Sequence, residues 1–213
     1  MSRLVLSNVV APSAPATGKV SLFSDSTVPG KVLRQIDDTG KILTLGPITN
    51  FSTASQAPAA TTRTYITGSN LAVPSGKLQI GTHFFWRFNL TKTGAGVATS
   101  TLDICVGTAG TTADTARVSF TKPAGTGVID EGIIEIGAVC RGPLSASGVF
   151  SGEMYMTHNL ATTGHMAQQC FVANTISGAF DVTVASLIVG LCITSGASDA
   201  VTIQQIQSYA WNM

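Results

Sequence analysis

The sequence predicts an all-β protein: an antiparallel β-sandwich, with a jelly roll as the preferred topology, preceded by a small N-terminal β-meander arm. Three observations carry that expectation. Apolar and polar residues alternate in about eight to ten short segments, the period-2 signature of half-buried strands. Glycine, present 22 times, gathers with Ser, Thr and Asp between those segments, where chain reversals need it. No stretch sustains a capped 3.6-residue apolar stripe, and residues 130–136 are the one short helical contender. The strand count favours the jelly roll.

From the N-terminus, Pro12, Pro15 and Gly18 hold residues 11–17 extended and non-helical. A short alternating strand is expected over 19–24, a turn over 25–30, a second strand over 31–36 and a third over 41–45. The reversal between the last two is Asp37-Asp38-Thr39-Gly40, and the third strand closes at Gly46-Pro47. Hairpins of this size bury too little to stand alone. Residues 1–50 are therefore expected to form an attachment arm that leans on something else. Its contact residues would be Val20, Leu22, Phe23, Leu33, Ile36, Leu43 and Leu45. Residues 51–64, rich in Ser, Thr, Ala, Gln and Pro, have linker composition.

The segment 65–213 reads as strand after strand. The clearest is 83–90, where Phe84, Trp86, Phe88 and Leu90 share one face and His83, Phe85, Arg87 and Asn89 the other. Further strands are expected at 101–106, 116–121, 134–140, 150–158 and 180–184, with shorter candidates at 78–80 and 170–172. In 150–158, Met154 and Met156 point inward and Tyr155 outward. The run 187–193 is apolar at nearly every position, as in a strand covered on both faces. The last strand, 201–211, sets Ile203, Tyr209 and Trp211 against a Gln-rich side.

Composition narrows the function. Only 11% of residues are charged, 12 Lys+Arg against 11 Asp+Glu, while 44% are hydrophobic. A typical soluble domain carries about 25% charged residues, so a neutral Ser/Thr/Asn/Gln surface covers this one, as suits a protein packed against neighbours. The basic residues are scattered singly, which argues against nucleic acid as a partner. The longest apolar run, 185–193, is too short and too interrupted for a membrane span, and the first residues lack the apolar core of a signal peptide. Synthesis in a cytoplasm is expected. Cys105, Cys140, Cys170 and Cys192 lie in apolar stretches with no CxxC pair and no adjacent His pair, so reduced core thiols are expected and a zinc site is not.

No constellation of catalytic residues stands out. His158 and His165 are seven apart, without metal-pair spacing, and each of His83, His158 and His165 reads as a satisfied or exposed histidine. Asp130, Glu131 and Glu135 form the only acidic cluster, and strand alternation sends Asp130 and Glu131 to opposite faces. The glycines at 94–96 and 107–110 read as hairpin turns, not phosphate cradles. No catalytic, metal or cofactor-binding residue is expected, and the chain is expected not to be an enzyme. Stacking on sugars is the one ligand chemistry the aromatics suggest, through Tyr155, Tyr209 or Trp211. Trp86 belongs to the core face, and Trp211 is the contact candidate.

The stretch Pro15-Ala16-Thr17-Gly18-Lys19-Val20-Ser21-Leu22-Phe23, followed by Lys31-Val32-Leu33 and Asp38-Thr39-Gly40-Lys41-Ile42, resembles the opening segment of many tailed-phage virion appendages. In those proteins such a pattern forms an attachment module. Residues 81–88, 91–96 and 106–117 look like phage proteins of the same structural class. The resemblance implies a virion structural protein with a β-sandwich head, often trimeric, projecting from the particle. A homotrimer bound to the major capsid protein or other virion subunits is the implied assembly. The short chain, single head domain and lack of fibre repeats favour a capsid decoration (cement) protein. A tail-fibre or receptor-binding protein contacting host surface glycans is the alternative.

Overall fold

The computed structural model describes residues 8–9, 12–25, 33–38, 40, 42–44, 46–196 and 201–212. The chain divides into two compact units, Met1–Ile48 and Thr49–Met213. Among the described residues all regular structure is strand, and no helix is long and apolar enough to cross a membrane.

The first unit is a four-stranded sheet, in the order β1 (Asn8–Val9), β2 (Val20–Asp25), β3 (Leu33–Asp37), β4 (Ile42–Thr44). The three expected strands are β2 to β4, and they pair antiparallel as a meander. β1 lies outside the expected strands and adds in parallel to β2, Asn8 opposite Ser24. Gly18, at a positive φ of 73°, donates its N–H to the Asp38 carboxylate and ties the entry of the meander to its reversal.

The second unit is a sandwich of two antiparallel sheets. One sheet has the order β10 (Thr115–Lys122), β9 (Ser100–Gly107), β14 (Ile188–Thr194), β6 (Arg63–Tyr65), and β7 (Leu71–Ala72) also pairs with β14. The other has the order β13 (Cys170–Ile176), β12 (Val149–His158), β11 (Asp130–Gly142), β8 (His83–Lys92), β15 (Val201–Trp211), β5 (Ile48–Ser52). Alternation fills the space between them. Phe84, Trp86, Phe88 and Leu90 of β8 and Ile134 and Ile136 of β11 meet Leu102, Ile104, Val118, Phe120 and Leu191 of the facing sheet, and all are buried. Burying a side chain of this size contributes about 1.5–3 kcal/mol. The Trp86 indole N–H donates to the Ser69 carbonyl at 2.7 Å, so the largest core residue leaves no polar atom unpaired. At Gly152 the sheets approach so closely that an added Cβ would lie 2.7 Å from Val118. β14 is covered on both faces, as its unbroken apolar run implies.

The strand order does not establish the jelly roll. A double Greek key carries the chain repeatedly from sheet to sheet, whereas β11, β12 and β13 are consecutive neighbours in one sheet. Residues 51–64 are not a free linker. β5 extends to Ser52, Gln56 bridges to Ile203, Ala60 bridges to Ser195, and Arg63 already lies in β6. Polar composition there serves hydrogen bonding: the Gln56 side chain closes a loop by donating to the Thr67 carbonyl and accepting from the Thr67 amide.

Several further expectations change. Residues 180–184 alternate without forming a strand. Asp181 captures the amide and hydroxyl of Thr183, an alternative to ladder bonding, while Phe180 and Val182 insert as plugs. Residues 78–80 form no strand, whereas the helical contender at 130–136 is the start of β11. The glycines at 94–96 carry the chain from one sheet to the other between β8 and β9, while those at 107–110 do turn a hairpin, β9 to β10. Three cysteines are buried as expected, but Cys170 is exposed because β13 is an edge strand packed less deeply than its neighbours.

Candidate functional site

Of the contact residues expected in the arm, Phe23 and Ile36 are buried, whereas Val20 and Leu22 are 55% and 46% exposed. Strand alternation explains the split: residues 20 and 22 share one face of β2, and Phe23 lies on the other. Leu33 and Leu43 fall within β3 and β4, and Leu45 lies outside the described residues. The first unit thus presents two neighbouring apolar side chains to solvent.

Trp211, the other residue singled out, ends β15 and is 40% exposed. It belongs to an aromatic group on the outer face of the six-stranded sheet. Its ring sits edge-on to His83, with centroids 4.5 Å apart, and tilted to Phe85 at 6.4 Å. Register makes the group: Trp211 lies opposite His83, and Tyr209 opposite Phe85. Phe85 in turn lies opposite Gly137, Gly137 opposite Glu153, and Glu153 opposite Asn174.

Gly137 leaves a gap in this outer row. A Cβ there would lie 3.0 Å from Glu153 Oε1 and 3.2 Å from His83 Nε2, so both side chains lean over the glycine. His83 Nε2 is shielded from solvent without a hydrogen-bond partner. Burial lowers the His83 pKa, against the opposing pull of the Glu153 charge. The result is a surface group of two aromatic rings, an imidazole and a carboxylate packed over the glycine. Beside it, an open groove of about 290 Å³ runs between β5 and β15, lined by Asn50, Phe51, Gln205, Gln207 and Tyr209. Aromatic faces flanked by amides and a carboxylate suit a polyhydroxylated ligand.

A second cluster, at the other end of β8, was not anticipated. Its members are Lys92, Lys122, Asp130, His158 and His165, all buried. Asp130 Oδ2 lies 2.6 Å from His158 Nδ1 and accepts the His165 amide at 2.9 Å, while Oδ1 accepts the Glu131 amide. Nε2 of His158 faces the Gln168 carbonyl at 2.6 Å. Both ring nitrogens are thus engaged, one by a carboxylate and one by a carbonyl. Desolvation works against the Asp130 carboxylate, but bonds from the His165 amide, His158 and the Glu131 amide outweigh it and lower its pKa. Lys92 Nζ donates to the carbonyls of Thr93, Thr126 and Val128, and Lys122 Nζ to those of Pro123 and His165. Burial, with the Lys122 charge next, pushes the His165 pKa down to about 4, and neither of its ring nitrogens has a hydrogen-bond partner. His165 therefore departs from the expected satisfied histidine.

This cluster holds loops together: its cations donate to carbonyls of the 93–97, 123–128 and 163–165 turns. Among the described residues no group of three or more His, Cys, Asp or Glu side chains is placed to hold a metal ion. A signal for the cluster was present in the sequence. Lys92, Lys122 and Asp130 fall on the inward parity of their strands, in step with Leu90, Phe120 and Ile134. No local spacing could have joined His158 to His165. The other polar cluster, on the outer side of β9, is equally structural. Arg63 bonds Asp103 at 3.2 Å and the Thr112 and Asp114 carbonyls, while the Cys105 thiol is raised by its bond with Cys192 and by burial.

No family model matches the sequence, and no curated protein matches it significantly.

Proposed function

We propose that this chain is a non-enzymatic structural protein of a tailed-phage virion, a decoration protein that binds and stabilises the head surface. The observation that carries this reading is the pairing of a small sheet exposing Val20 and Leu22 with a charge-poor sandwich whose ionic clusters are spent on its own loops. The resemblance of residues 15–42 to phage attachment modules supplies the particle. In this reading the first unit grips the major capsid protein, the protein assembles as a homotrimer after synthesis in the host cytoplasm, and the sandwich faces outward. Binding only the assembled shell stabilises it by mass action. Many symmetric copies multiply a modest contact.

The test keeps the whole chain. Val20→Ser with Leu22→Ser is expected to abolish co-sedimentation with capsids and leave the melting temperature of the sandwich unchanged. Undiminished binding by that variant overturns the reading.

The exposed Trp211 and the neighbouring groove lined by Phe51 and Tyr209 favour a second reading, a receptor-binding role toward host surface glycans. There Trp211→Ala is expected to reduce adsorption to host cells at least tenfold, and adsorption that survives Trp211→Ala argues against it.

A further inference from the structure

Most strand edges of the sandwich are guarded. β10 carries Arg117 and Lys122 and breaks register between Ala116 and Val118. β6 and β7 are three and two residues long. β5 follows Pro47 and has the Gly68 turn against its main chain, where an added Cβ would lie 2.6 Å from Phe51 and Ser52 backbone atoms. Charge, bulges, brevity and cover are how natural sheets keep an edge from pairing with another chain. Among the described residues of the sandwich, β13 has none of these. Its seven residues, Cys170–Ile176, contain no charge, proline or glycine, and pair with β12 without a register break. Val172 and Ile176 are each 55% exposed.

The ladder identifies the main-chain groups that point outward. Ser177 N–H donates to the Phe150 carbonyl at 2.9 Å, one step beyond the Ser151–Ile176 pair. Antiparallel pairs alternate between bonded and non-bonded. Phe171, Ala173 and Thr175 therefore direct their amides and carbonyls to β12, and Cys170, Val172, Asn174 and Ile176 direct theirs away from the sheet.

We propose that β13 is a self-association strand, through which two copies of this chain pair antiparallel about a two-fold axis at Ala173 and join their six-stranded sheets into one. This register sets Val172 opposite Asn174 of the second copy and Cys170 opposite Ile176. Every outward group then meets an outward group, for about eight main-chain hydrogen bonds. The occupant is a second copy because the strand is complementary to itself: its outward positions are symmetric about Ala173, and it brings no like charges together. An isologous contact of this kind closes at two chains. Combined with the three-fold contact of the proposed homotrimer, it joins trimers to one another, so that only even-numbered assemblies form.

The experiment measures the mass of the full chain by sedimentation velocity from about 1 to 100 μM. A dimer or another even-numbered species is expected. Val172→Pro removes an outward N–H and spares the bonds to β12, so it is expected to halve the mass without loss of the folded signal. If that variant does not fold, Val172→Lys decides, since an edge lysine blocks pairing and leaves the ladder whole. Ala173→Cys in a Cys170→Ser background places two thiols on the axis, in the close non-bonded pair, and is expected to cross-link under mild oxidation. A wild-type chain that stays monomeric or trimeric overturns the proposal. So does an even-numbered species that Val172→Lys leaves intact, or one that Ala173→Cys fails to cross-link. The proposal is independent of the attachment reading: Val20→Ser with Leu22→Ser is expected to leave the mass unchanged.

Discussion

The two faces of the six-stranded sheet use the same residue types to opposite ends. On the inner face His158 is locked between Asp130 and a carbonyl, and Gly152 lets the sheets meet. On the outer face His83 keeps an unpartnered nitrogen, and Gly137 makes room for the Glu153 and His83 side chains beside Trp211. Between His158 and His83 the difference is whether packing has supplied the ring's partners, and His165, buried beside His158 with neither ring nitrogen bonded, shows that burial alone does not supply them. Identity alone does not decide it.

Removing the anchor of the inner cluster is the strongest test of that contrast. Asp130→Ala leaves the His158 ring and the His165 amide without their acceptor. Leaving a buried hydrogen-bonding group without its partner costs about 1–3 kcal/mol each, and the melting temperature is expected to fall by roughly 10 °C. A loss no larger than that of an exposed carboxylate would erase the distinction between the faces.

Acid sharpens the contrast next. His165 binds its proton near pH 4 in the folded chain and near its ordinary 6.5 when unfolded. The unfolded state holds more protons between those values, so stability falls as pH drops from about 6.5 to about 4. Asp130, with its pKa lowered, contributes stability that is present above the ordinary carboxylate range and lost as pH falls through its folded value. Thermal melts of His165→Leu against pH are expected to be flatter than wild type between 6.5 and 4. A parallel pair of curves would remove His165 from the account.

The glycine pair comes third. Gly152→Ala forces a methyl against Val118 and is expected to cost about 1–3 kcal/mol by denaturant unfolding. Gly137→Ala meets only the movable ends of Glu153 and His83, so its cost is expected to be smaller. Equal costs would mean that the outer face is as tightly packed as the inner. The smallest effect is expected at the Arg87–Glu135 pair, 3.5 Å apart on the outer face with both side chains exposed. Arg87→Ala should change stability by less than about 1 kcal/mol in the same assay.

The legibility of the sequence followed the range of the interaction. Segments 83–90 and 150–158 were readable because each strand carries its own alternation, set by the backbone geometry of two neighbouring residues. The same rule fails at 180–184, where Asp181 diverts the backbone locally, and at 51–64, where polar composition concealed loops hydrogen-bonded to β15 and β14. At the candidate site Trp211 was legible as an aromatic at a strand end. Gly137, Glu153 and His83 were not, because they belong to three different strands.

By itself the sequence determined an all-β chain, the inward and outward sides of its main strands and a small sheet before the sandwich. Each follows from side-chain alternation and turn chemistry, which act over a few residues. Tertiary structure alone decided which strands became neighbours, and with that the Asp130–His158–His165 cluster, the side-chain group over Gly137 and the unguarded edge at β13. Those features depend on register between distant segments, and register is fixed by packing two sheets around one core.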